Sequence, residues 1–98
     1  MINYPLADLE RDIESLIGEL AEVRKAKGHD YSSDADTLEN MRDWGWQGVL
    51  VRIGDKYKRL MNTVKKGNVA CKDESVEDTM QDLINYALFM LIMYRQEK

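Results

Sequence analysis

Asp73 to Gln96, DESVEDTMQDLINYALFMLIMYRQ, is the stretch on which the fold turns. It holds no proline or glycine, starts with carboxylates and continues with apolar residues three and four apart, so it reads as one long helix. Val76, Met80, Leu83, Ile84, Ala87, Leu88, Leu91 and Ile92 are expected to face inward. Its most apolar window, Ala87 to Tyr94, is followed by Arg95 and Lys98. That window is far shorter than the roughly 20 residues of a membrane span, so a buried helix is expected and no membrane partner.

Working outward, Val49, Leu50, Ile53, Tyr57, Leu60, Met61 and Val64 again have helical spacing, from near Gln47 to the stop at Lys65-Lys66-Gly67. Gly54 lies inside this helix at a cost of about 1 kcal/mol relative to Ala, which suggests close helix packing or approach of a ligand. A first helix runs from Leu6 to Lys27, with Leu6, Leu9, Ile13, Leu16, Ile17, Leu20 and Val23 on one face and Gly28 after a basic last turn. His29 to Asp36 is polar and expected as loop. Asp36 or Thr37 can cap a short helix to about Trp44, interrupted by Gly45. Asn68 to Lys72 is the last loop. The expected fold is a single all-α domain over residues 1–98, a compact bundle of three long helices and one short one.

Composition narrows the function classes. Hydrophobic residues make up 44% and charged residues 33%, as in an ordinary globular domain. A formal net charge of -4 argues against direct nucleic-acid binding, though not against a small phosphorylated ligand. Cys71 stands alone, which excludes an internal disulfide and a thiolate zinc site and fits a reducing cytoplasm. No basic segment leads into an apolar run near Met1, so no signal peptide is expected. A chain of this size, with two Trp and a methionine-rich last helix, would gain from burying more surface, and a homodimer is expected.

The acids of the last helix divide by their position. Asp73, Glu74 and Glu77 are accounted for by the start of a helix, where negative charge meets the positive end of the dipole. Asp82 is too far along for that. Asp78, Asp82, Asn85 and Phe89 fall within about 60° of one another beside the apolar stripe. On the preceding helix Arg52, Asp55, Arg59 and Asn62 form a mixed-charge stripe flanked by Lys56. If the two helices lie side by side, Asp55 faces Asp78 and Asp82 across a cleft. Carboxylates there suit Mg²⁺, while Arg52, Lys56 and Arg59 suit phosphate. The plainer reading of Arg52, Asp55 and Arg59 is surface ion pairing within one helix. His29 is read as merely exposed, Trp44 and Trp46 as core, and Met80, Met90 and Met93 as packing residues.

From Lys27 onward the chain resembles the nucleotide modification associated domain family, found largely in phages and bacteria. The residues that carry the resemblance are Lys27-Gly28-His29-Asp30-Tyr31, Val51-Arg52-Ile53-Gly54-Asp55-Lys56 with Arg59-Leu60, and Asp73-Glu74-Ser75 with Asp78-Thr79, Asp82-Leu83 and Asn85-Tyr86-Ala87. That family is similar to the all-α, MazG-like nucleoside triphosphate pyrophosphohydrolases, which hold Mg²⁺ against nucleotide phosphates with carboxylates from two helices. The resemblance implies Asp55, Asp78 and Asp82 as catalytic metal ligands, and Glu39 or Glu74 is the candidate for a further ligand. It implies Mg²⁺ as cofactor, while the residues themselves offer Arg52, Lys56, Arg59 and Asn85 for substrate binding, with Lys27, Asp30 and Tyr31 in a loop that can close over the ligand. The match departs at Arg52, where those enzymes usually place a glutamate, so a cation replaces one ligand. Two functions follow as expectations. One is Mg²⁺-dependent cleavage of a (deoxy)nucleoside triphosphate between its α and β phosphates. The other is a phage protein in the host cytoplasm that sequesters a nucleotide signal or blocks a host defence protein without turnover.

Overall fold

The computed structural model describes residues 2–28, 36, 38–67 and 74–98. The described residues form helices and no strands: α1 spans Leu6–Ala26, a single 3₁₀ turn spans Glu39–Met41, α2 spans Gly45–Lys65 and α3 spans Glu74–Glu97. Together they make a compact all-α bundle in which α2 and α3 pack along each other, and α1 meets α3 far less.

Helix ends follow local chemistry. Arg24 and Lys25 lie in the last turn of α1, and the N–H of Lys27 closes it by donating to the Val23 carbonyl at 3.1 Å. α2 ends where its sequence says it should, with Gly67 at φ 72 and its N–H on the Val64 carbonyl at 3.0 Å. Its start is different from expectation. Gly45 does not interrupt a preceding helix; it opens α2, two residues before Gln47. Trp44 and Gly45 take left-handed conformations, φ 67 and 63, and the Glu97 carboxylate at the end of α3 accepts from the N–H of Trp46 at 3.1 Å. A Cβ at Gly45 would meet that carboxylate. The expected short helix shrinks to the 3₁₀ turn, held by Asp36, which accepts from the N–H of Leu38 at 3.0 Å and from Arg42 Nε at 2.6 Å. These bonds hold the Asp36 carboxyl below its ordinary pKa, the Arg42 bond being the largest cause.

The core comprises Leu38, Met41, Val49, Tyr86, Phe89 and Met93, with Trp46, Ile53 and Met90 packed against it. Trp46 meets Tyr94 edge to face at 5.6 Å between ring centroids, and Tyr86 meets Phe89 in the same way at 6.3 Å.

Four expectations about side chains are corrected by the structure. The inward face of α3 is Thr79, Asp82, Asn85, Tyr86, Phe89 and Met93, whereas Met80, Ile84, Leu88, Leu91 and Ile92 are 41–49% exposed. From Leu83 to Tyr94 the sequence is apolar almost all the way round, so periodicity selects no face; the larger aromatic side chains take the inside and the cations of α1 and α2 draw Asp82 and Asn85 with them. On α1 only Leu20 is buried; Leu6, Leu9, Ile13, Leu16 and Ile17 are exposed. Gly54 has open space around it, so neither close packing nor crowding explains its place in α2. Trp46 joins the core as expected, but Trp44 is 86% exposed.

Candidate functional site

Where the last turn of α1 reaches α3 beside α2, charged and polar side chains meet in a seam. Asp82 is nearly buried, and each of its carboxylate oxygens is taken: Oδ1 by Lys27 Nζ at 2.5 Å and Oδ2 by Lys56 Nζ at 3.2 Å. Lys27 reaches Asp78 as well, at 3.3 Å. A carboxylate withdrawn from water costs several kcal/mol unless it is well paired, and two ammonium groups offset that cost here. Burial alone lowers the pKa of Lys27. The hydrogen bonds and charges of Asp82 and then Asp78 outweigh burial, so its pKa lies above that of an ordinary lysine. Lys56 also lies over the Tyr86 ring, 5.9 Å from its centroid.

One turn along from Asp82, Asn85 is fully buried. Its Oδ1 accepts from Arg24 Nη1 at 2.8 Å, which fixes the orientation of the amide. Its Nδ2 has no hydrogen-bond partner among the described residues. A buried donor left without an acceptor costs about 1–3 kcal/mol, and such groups in native folds have a reason. Three cations, Arg24, Lys27 and Lys56, thus face two carboxylates, Asp78 and Asp82, around an amide that still needs an acceptor. The seam is suited to an anion with several oxygens.

The structure brings Lys27, Lys56, Asp78, Asp82 and Asn85 together. Asp55 is not with them. It lies exposed beside an open cavity lined by Asp43, Trp44, Gln47, Gly48, Val51 and Arg52. Along a helix at 100° per residue, Lys56 turns to α3 and Asp55 cannot share that direction. Arg52 is exposed and donates to the Asn40 carbonyl at 3.3 Å, and Arg59 is exposed. Asp30 and Tyr31 lie outside the described residues, as does the side chain of Glu74. Arg24 was missed. It reads as one more basic residue in a last helical turn, yet it lies three positions before Lys27, on the same side of α1, and that spacing was the available signal.

The family model of nucleotide modification associated domain 1 matches residues 27–93. The chain belongs to that family. Comparisons with curated proteins and with solved structures return no match. The matched segment of this nucleotide modification associated domain includes Lys27, Lys56, Asp78, Asp82 and Asn85, whereas Arg24 and all the rest of α1 precede it.

Both oxygens of Asp82 are bonded to ammonium groups, and among the described residues no group of three or more His, Cys, Asp or Glu side chains converges. Among the described residues, too, no helix is long and apolar enough to cross a membrane.

Proposed function

We propose that this chain binds a nucleotide by its phosphates in the seam between α1, α2 and α3, and that binding rather than turnover is its primary act. The observation that carries this reading is the buried Nδ2 of Asn85, unpartnered among the described residues beside Arg24, Lys27 and Lys56. A phosphate oxygen supplies the acceptor that Nδ2 lacks, and its charge balances the excess cation of the seam. Arg24 and Lys56 place donors around the anion while Asp82 keeps the two lysines apart and oriented. The family description supports a nucleotide as the carrier of those phosphates.

The hydrolytic alternative, a pyrophosphohydrolase acting with Mg²⁺, requires Asp82 to leave Lys27 or Lys56 before it can serve a metal or a water. Titration calorimetry with a panel of nucleosides and their mono-, di- and triphosphates, with and without Mg²⁺, separates the two. The expected result is binding that strengthens with phosphate number, persists in a chelator and returns the ligand unchanged. Asn85→Asp keeps the acceptor for Arg24 and removes the donor, so it should weaken binding by at least about tenfold. Absence of binding across the panel would overturn the proposal. Pyrophosphate release that is lost in Asp82→Asn would establish hydrolysis in its place.

A further inference from the structure

Two apolar faces of this chain have no cover. On α1, Leu6, Leu9, Ile13, Leu16 and Ile17 are 42–67% exposed. On α3, Met80, Ile84, Leu88, Leu91 and Ile92 are exposed to a similar degree, on the side of the helix away from α2. Each set has the three-and-four spacing with which helices interlock. Each side chain is about half exposed, so the ten present on the order of 900 Å² of surface, whereas a standard protein interface takes about 800 Å² from each partner. Each face alone, on the order of 450 Å², matches the largest apolar patch on a typical monomer, and patches of that size often mark interaction sites.

We infer that a second copy of this chain covers both faces, α1 of each protomer lying along the outer face of the partner's α3. The charges choose this pairing. From Asp8 to Glu22, α1 carries Asp8, Glu10, Asp12, Glu14, Glu19 and Glu22 against Arg11 alone. Packing α1 on its own copy would bring those acids together. From Leu83 to Tyr94, α3 has no Asp, Glu, Lys or Arg, so this part of its face, beyond Glu77 at the N-terminal end, receives α1 without repulsion. A two-fold axis then repeats the α1–α3 contact twice and leaves neither face bare. The two helices are matched in length, 21 and 24 residues. The same docking fixes the N-terminal part of α1, which the other described residues hold near Leu20, Arg24 and Lys27.

The inference stands apart from nucleotide binding and is tested without it. Sedimentation equilibrium of the full chain should show a dimer, and its thermal midpoint should rise with protein concentration. Ile13→Glu on α1 and Ile84→Glu on α3 both change exposed positions, and each should leave helicity by circular dichroism intact while weakening the dimer at least about thirtyfold. Mixing the two variants distinguishes the pairing. In a reciprocal α1–α3 dimer, one contact of the mixed pair is wholly wild type, so mixing should restore part of the association. A monomer at every concentration, with a midpoint independent of concentration, would overturn the inference. So would a dimer that mixing fails to restore, because α1 would then pair with α1 and α3 with α3.

Discussion

The two faces of α3 invert the usual order of a small helical protein. Its inner face buries Asp82 and Asn85 along with Thr79, Tyr86, Phe89 and Met93, and its outer face shows Met80, Ile84, Leu88, Leu91 and Ile92 to solvent. The inner polar groups are tolerable because Lys27, Lys56 and Arg24 come to them from two other helices. The outer apolar groups have no such partner among the described residues. Burial here is therefore decided by which side chains have something specific to meet, and hydrophobicity alone ranks the two faces the wrong way round.

The largest effect should come from setting the two faces directly against each other. Met93→Ala removes a fully buried side chain and should cost about 3 kcal/mol in denaturant unfolding. Leu88→Ala, measured at dilutions where the chain is monomeric, should cost less than about 1 kcal/mol. Equal costs would break the comparison, since they would mean the outer face is packed within one chain. Next in size, Asp82→Ala leaves Lys27 and Lys56 without their shared carboxylate and should destabilise the fold by about 2 kcal/mol, a discounted value because both ammonium groups keep some contact with water. A neutral outcome would show that the inner polar face adds nothing to stability and is kept for the ligand alone.

The smallest effect is a pH dependence. The pKa of Lys27 is raised in the folded chain, so its contribution is fully present below the ordinary lysine value of 10.5 and is lost as pH rises through the higher folded value. Wild-type stability should accordingly fall on the alkaline side of 10.5, and Lys27→Gln should flatten that part of the profile. Superimposable profiles for the two proteins would detach Lys27 from Asp82 in solution.

Much of the architecture is legible in the sequence. The ends of α1 and the stop of α2 follow from basic last turns and glycines, and Asp78, Asp82 and Asn85 stand out as polar groups too far along α3 to serve its cap. The face of α3 is not legible, because a nearly uniform apolar run carries no periodic contrast. Asp55 illustrates a different limit. Arg52, Asp55, Arg59 and Asn62 share a face by spacing, and mixed charge on a helix face is as consistent with solvent as with a site. Lys56, one residue on, is the side chain that α3 meets, and only the packing of two helices distinguishes it from its neighbours. The bare face of α1 was equally hidden: an amphipathic pattern announces that a helix will be covered without saying by which molecule.

The Glu97 carboxylate, set against the first turn of α2, has a consequence for exchange with solvent. It closes the α2–α3 pair at the end opposite the connection between them, so amides on the facing sides of α2 and α3 open together and should be the slowest to exchange deuterium. The N-terminal half of α1, outside that clasp, should exchange sooner. Protection gained there on raising protein concentration would register a second chain, and protection gained around Arg24 on adding nucleotide would register the ligand.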